Sequence, residues 1–172
     1  EFIYGVNGLP VFAESVKIGA VRLSKKFFPD FIISESSVKE CSEYVEQEIK
    51  NNSSIQTNIK LDFAVGSSGT VDTVCLIKQF QKDADIKSRL NGYTFDKAEF
   101  DEIYSEVMSL KNPTERISVP GIEAKRADII PAGFIILKKA FELFNIREMV
   151  LSEYALREGV VFDLISKGNR AI

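Results

Sequence analysis

The chain contains no histidine and only two cysteines, Cys41 and Cys75. The first absence excludes nucleophilic mechanisms that need an imidazole base, and together they exclude most zinc sites. The two cysteines lie far apart, without a CxxC spacing, each in a stretch of helical period. That is the pattern of reduced, buried residues in a cytoplasmic protein, which is the expected location. No apolar run approaches the roughly 20 residues of a membrane span, and no signal-peptide pattern opens the chain, so no membrane partner is expected. Charge of one sign is also lacking: 22 Lys and Arg stand against 25 Asp and Glu, a net charge of −3. Without a global basic field, nucleic acid is not an expected partner either. Anionic ligands are not excluded, because local amides and one arginine can bind phosphate within an acidic protein. What is present is an ordinary globular composition, 45% apolar and 27% charged over 172 residues, enough for one domain with a real core.

The chain begins in β pattern. Glu1 to Val6 already reads as strand, which suggests a piece cut from a longer protein where a preceding domain ended. Asn7-Gly8 follows, the dipeptide suited to a type I′ hairpin turn, because both central residues there need positive φ. A second strand covers Val11 to Val16, and a third is expected from Lys17 to Leu23 with a bend at Gly19. From Ser36 or Ser37 the period becomes helical through Val38, Cys41, Tyr44, Val45 and Ile49, ending near the NNSS of residues 51–54. A short strand at 59–66 leads into a helix through Val71, Val74, Cys75 and Ile77. A polar loop is expected at 82–94, then a helix from Phe95-Asp96 to Asn112-Pro113. After Pro120 and Gly121 comes a long helix with Ile130, Phe134, Leu137, Phe141 and Phe144 on one face. A strand at 147–152 and a helix at 153–165 close the pattern. The order β-β-β-α-β-α-(α)-α-β-α predicts an α/β domain, with a mixed sheet and helices on both faces.

Four places could carry chemistry. In DFAVGSSGTVDTV, a strand ends in Gly66-Ser67-Ser68-Gly69-Thr70 and runs into a helix. Free backbone N–H groups, the positive helix end and three hydroxyls then converge, as an anion site requires. The same residues suit a tight turn in which Ser68 or Thr70 only caps the helix. No Gly-Lys-Ser/Thr follows, so it is not a Walker A loop. In GIEAKRADIIPAG, Arg126 offers a planar fork of donors matched to phosphate oxygens, or is a solvated loop residue. Asp128 sits where an N-cap belongs, ahead of Pro131. In LSEYALREGV, Ser152 reads as the N-cap of the last helix and Arg157 as an ion-pair partner of Glu158. Glu1 is a carboxylate at the edge of the chain, either exposed or half of a site. The acidic pairs Asp96/Glu99 and Asp101/Glu102 read as a solvated helix face.

GAVRLSKKFF (19–28), AVGSSGT (64–70), GIEAKRADIIPAG (121–133) and VLSEYALREGVVFDLI (150–165) occur in the order and approximate spacing of the exopolyphosphatase/guanosine pentaphosphate phosphohydrolase family. Nearly the whole chain resembles the second of that family's two ribonuclease-H-like, actin-like ATPase domains, so residues 1–172 are expected to be one domain whose first partner domain is absent. The resemblance implies a hydrolase that releases terminal phosphate from inorganic polyphosphate or guanosine pentaphosphate in a cleft between the domains, with Mg²⁺ as cofactor and a base from the first domain. Glu1 matches the Glu that closes the family's glycine-rich phosphate segment and is the candidate catalytic residue. Gly66, Ser67, Ser68, Gly69, Thr70 and Arg126 become phosphate-contacting candidates, with Lys17 and Arg22 as further ones. The chain alone is expected to hydrolyse nothing, since base, metal and both phosphate walls must be held in register. Nothing in the sequence excludes a homodimer. The alternative is a non-catalytic actin-like module that binds a nucleotide or phosphate chain. A sugar or acetate kinase of the same fold is disfavoured, because ALREGV and RADII are not kinase signatures.

Overall fold

Apolar spacing and capping chemistry set the elements of this chain, seen in a computed structural model that describes residues 1–52, 57, 59–82 and 90–168. Part of the NNSS segment and most of the expected 82–94 loop lie outside the described residues. The hairpin forms as its turn demands. Strands β1 (Phe2–Val6) and β2 (Leu9–Glu14) pair antiparallel around Asn7 at φ 52° and Gly8 at φ 78°. Phe2 fastens the hairpin to the body, its ring 5.4 Å from that of Phe144.

The expected third strand is not there. Ala20–Phe27 is a helix, α1, and Gly19 is its extended N-cap rather than a bend in a strand. Alternation of Val16 and Ile18 with Ser15 and Lys17 mimics period two. Burial of Leu23 and Ser24, and packing of Phe27 on Tyr44 with ring centroids 5.4 Å apart, instead select the helix. Helix α2 (Glu35–Lys50) begins at a reciprocal Ser34–Ser37 capping box and buries Cys41, Val45 and Ile49.

Beyond it, β3 (Ala64–Gly66) runs into α3 (Gly69–Lys82). A strand missed by the pattern, β4 (Thr94–Asp96), is only three residues long and leads directly into α4 (Lys97–Ser109). A short α5 (Pro113–Ile117) precedes the long α6 (Ile130–Leu143), then come β5 (Glu148–Leu151) and α7 (Leu156–Gly168). The three-stranded sheet has the order β3-β5-β4, with β3 parallel and β4 antiparallel to β5. It is a mixed α/β architecture of sheets with helices on both sides, its element order beginning β-β-α rather than β-β-β.

The core is aromatic. Phe95, Phe100, Phe134 and Phe141 are fully buried, and Phe100 stacks on Phe141 at 5.4 Å. The helical face read from Ile130, Phe134, Leu137, Phe141 and Phe144 is buried throughout. Two of the acidic residues expected on a solvated face are structural instead. Asp96 and Glu99 form the α4 capping box, and Glu99 also pairs with the buried Lys78, whose Nζ donates to the Thr94 carbonyl at 2.9 Å. Asp101 is tied to Lys97 and Lys138, and Glu102 is exposed.

Arg116 is the largest fully buried side chain among the described residues. Its Nε donates to the Ala127 carbonyl at 2.7 Å, Nη1 to Leu110 at 3.1 Å and Nη2 to Phe31 at 2.7 Å. Burial pushes its pKa down, while Asp128 and Glu115 favour its charge. This gives Asp128 a different job from the expected cap. The cap position of α6 belongs to Ile129, which makes no side-chain cap bond. Arg116→Ala orphans three carbonyls in the interior and is expected to lower unfolding free energy by about 3 kcal/mol in urea titrations.

Candidate functional site

The β3–α3 turn and the 121–133 segment meet because three glycines lack side chains. Gly121, at φ 99°, lies so close to α3 that a Cβ there would sit 2.6 Å from the Ile77 nitrogen. At Gly133 a Cβ would sit 2.4 Å from Thr70 Oγ1, and at Gly69 it would sit 1.8 Å from Arg126 Nη2. The guanidinium therefore rests on the first residue of α3, where the helix presents N–H groups that have no partner inside it. Arg126 closes a short 3₁₀ turn, Ala124–Arg126, one residue before the carbonyl that Arg116 grips.

Around this contact lies a groove of about 500 Å³, lined among others by Ser67, Ser68, Gly69, Asp72, Lys125 and Arg126. Glu123 and Glu153 complete its polar rim. Ser68 caps α3, its Oγ accepting the Val71 N–H at 3.3 Å. Ser67 Oγ donates to the Tyr154 carbonyl at 2.9 Å, and the Ser152 N–H donates to the Gly66 carbonyl at 2.9 Å. The β5–α7 connection thereby forms the groove's second side. Ser152 bonds locally to Tyr154 and does not cap α7. Helix α7 starts at Leu156, where Glu158 accepts the Ala155 N–H at 2.8 Å; Arg157 is exposed and pairs with Glu158 at 3.6 Å.

The candidates separate into two groups. Ser67, Ser68, Gly69 and Arg126 share the groove. Gly66 and Thr70 adjoin it without lining it, Thr70 packing against Gly133. Lys17 and Arg22 are not brought there: Lys17 lines a separate hollow with Glu48 and Asn51, and Arg22 Nη1 reaches the Lys17 carbonyl at 3.5 Å. Glu1 is exposed ahead of β1 and does not line the groove.

The carboxylates were missed by the sequence reading. Glu123 Oε2 lies 3.5 Å from Arg126 Nε and 3.2 Å from Lys125 Nζ. Asp72 is half-buried one turn into α3, and burial raises its pKa, with Arg126 opposing the rise and Glu153 and Glu123 adding to it. The one available signal was position, since Asp72 follows Gly69 by three residues and so shares its helix face. Glu123 and Glu153 come from distant segments that only the fold unites. Among the described residues, no group of three Asp, Glu or Cys side chains converges as a metal site requires.

The fold is that of the actin-like ATPases, shared with its structural neighbours. An Aquifex aeolicus member of the Ppx/GppA family superposes with TM-score 0.82 at 24% identity, covering 97% of this chain and 53% of that one. An exopolyphosphatase from Cytophaga hutchinsonii gives 0.82 at 19% identity, with coverages of 96% and 53%. The Ppx/GppA phosphatase family matches residues 1–168, and the chain belongs to that family. It is 29% identical to a Haemophilus influenzae protein named as an exopolyphosphatase, over 95% of this chain and 48% of that one. It is 28% identical to a guanosine-5′-triphosphate,3′-diphosphate pyrophosphatase of Vibrio parahaemolyticus, over 89% of this chain and 29% of that one. The chain thus spans about half, or less, of the length of the relatives it matches.

Because Arg126 holds the Asp72 carboxylate down, Arg126→Ala is expected to raise the Asp72 titration midpoint further above the ordinary 3.8, as read by carboxyl NMR. A raised carboxyl pKa opposes folding at neutral pH, and the opposition fades as pH falls through the folded value. Asp72→Asn should therefore stabilise the chain at neutral pH and not below 3.8.

Proposed function

We propose that this chain is the second lobe of a phosphatase that removes the terminal phosphate of inorganic polyphosphate or guanosine pentaphosphate, forming one wall of the substrate cleft. The observation that carries this reading is the Arg126 guanidinium lying against Gly69 at the mouth of α3, within a groove lined by Ser67 and Ser68. A guanidinium fork beside unpaired helix amides suits the oxygens of a phosphate chain. The names of the Haemophilus and Vibrio relatives support the two substrate classes.

On this reading the residues bind and orient. Arg126 and the first amides of α3 hold phosphate oxygens, and Ser67 and Ser68 shape the turn through their own hydrogen bonds. Glu1, exposed ahead of β1 and outside the groove, would take part only together with groups of the other lobe. Mg²⁺ would be held by phosphate oxygens and by donors beyond these residues, since the groove's acids do not form a metal cluster. The chain by itself then binds substrate without cleaving it.

Titrating residues 1–172 with tripolyphosphate at low salt should show saturable binding that Arg126→Ala weakens about tenfold. Phosphate release in the presence of Mg²⁺ should stay at background. Steady release would overturn the one-lobe reading, and unchanged affinity in the variant would remove Arg126 from the site. A full-length protein that binds the anion and never releases phosphate would favour the sensor module.

A further inference from the structure

We infer that Glu123 is an internal competitor for the groove's guanidinium, a carboxylate that stands where a phosphoryl group would bind Arg126 and sets how tightly this wall holds its ligand. The inference deepens the reading of the groove as a phosphate wall and rests on it. Of the ion pairs among the described residues, only that of Glu123 engages Arg126, its Oε2 lying 3.5 Å from Nε. The same oxygen lies 3.2 Å from Lys125 Nζ, so one carboxylate engages both cations of the groove. A guanidinium takes a phosphate through two donors on one edge, and Nε belongs to one such edge. The Nη groups pack on Gly69 at the mouth of α3, and the Nε edge meets Glu123.

Geometry separates a competitor from a clamp. Charge-assisted N–H···O bonds run to about 2.7–2.9 Å. Arg116 meets that standard where it grips backbone, at 2.7 Å to the Ala127 and Phe31 carbonyls. Both Glu123 contacts are longer and lie near the surface, where ion pairs are weak and screened. The Glu123 side chain makes no cap bond to the Ala124–Arg126 turn; its backbone carbonyl accepts the Arg126 N–H at 2.8 Å instead. Arg126 is thus oriented by its turn and by packing on Gly69, not by the carboxylate. A terminal phosphoryl group brings more charge and several acceptor oxygens to the same edge, and so displaces a single carboxylate oxygen. The remaining acids of the groove stand apart: Glu153 accepts the Leu90 N–H at 3.0 Å, and neither it nor Asp72 forms an ion pair with Arg126. The consequence is a wall that lets go. Affinity shared by substrate and product lowers KM without raising kcat, and it delays product departure. Glu123 trims that shared affinity.

The experiment titrates tripolyphosphate and orthophosphate at low salt into the chain and its variants. Glu123→Gln should tighten both ligands by a similar factor, about fivefold, with melting unchanged. In an Arg126→Ala background the gain should fall below about twofold, because the carboxylate then has no guanidinium to occupy. Glu153→Gln removes the same charge from the same rim and should also change affinity less than about twofold. In the full-length protein, Glu123→Gln should lower KM and the orthophosphate inhibition constant together, about fivefold, without raising kcat. Equal or weaker binding by Glu123→Gln would overturn the inference, as would a gain that survives the loss of Arg126 or that Glu153→Gln matches. Binding that Arg126→Ala leaves untouched would remove the phosphate wall itself, and the competitor with it. An Arg126-dependent gain in a protein that releases no phosphate at full length would uphold the role of Glu123 while the hydrolase reading fell.

Discussion

The site depends on an absence at one position. Gly69 has no side chain, and only for that reason can the Arg126 guanidinium lie flat against the opening turn of α3. The same economy recurs where Gly133 admits Thr70 and where Gly121 meets the backbone of Ile77. Three close approaches press the 121–133 segment onto α3 along most of its length. From the other side Arg116 grips the carbonyl of Ala127, the residue after Arg126. The arginine that faces the groove is thus followed directly by a residue whose carbonyl a fully buried arginine holds. Moving either anchor moves the fork of donors, and a fork is useful only while its geometry holds.

Charge in the groove is balanced rather than uniformly positive. Lys125 and Arg126 share Glu123, and Asp72 and Glu153 add two more carboxylates. On the proposed reading an incoming polyanion meets repulsion as well as a guanidinium, so binding to this chain alone is expected to be weak and salt-sensitive. That fits a cleft in which each wall contributes part of the attraction. It is also compatible with the proposed anionic substrate despite a net charge of −3, since local placement of donors matters more than the total. The fold by itself does not assign this role; the proposal rests on the groove residues.

Much of this was legible in the sequence, and the failures have physical causes. The hairpin was readable because Asn7-Gly8 has few other uses. Helix α6 was readable because five apolar residues keep one period over four turns. Helix α1 was misread because Val16 and Ile18, just ahead of it, suggest a two-residue period, whereas burial of Leu23 and packing of Phe27 on Tyr44 of α2 select the helix. Strand β4 is too short to show a period and merges into the cap of α4. Within the site, Arg126 and the Ser67–Gly69 turn stood out because glycines and a lone arginine are locally odd. Asp72, Glu123 and Glu153 did not, because each looks like an ordinary surface acid until tertiary packing brings it to the groove. Lys17 and Arg22 entered as weaker candidates with the resemblance, near the expected third strand, and the fold places them away from the groove.

The most direct measurement is a ¹⁵N NMR titration of the chain with tripolyphosphate, followed residue by residue. The amides of Ser68, Gly69 and Thr70 and the Nε–H of Arg126 should shift together along one saturation curve. Shifts confined to Lys17 and Arg22, or a first turn of α3 that stays silent while other sites respond, would contradict a phosphate wall built on the Gly69–Arg126 contact.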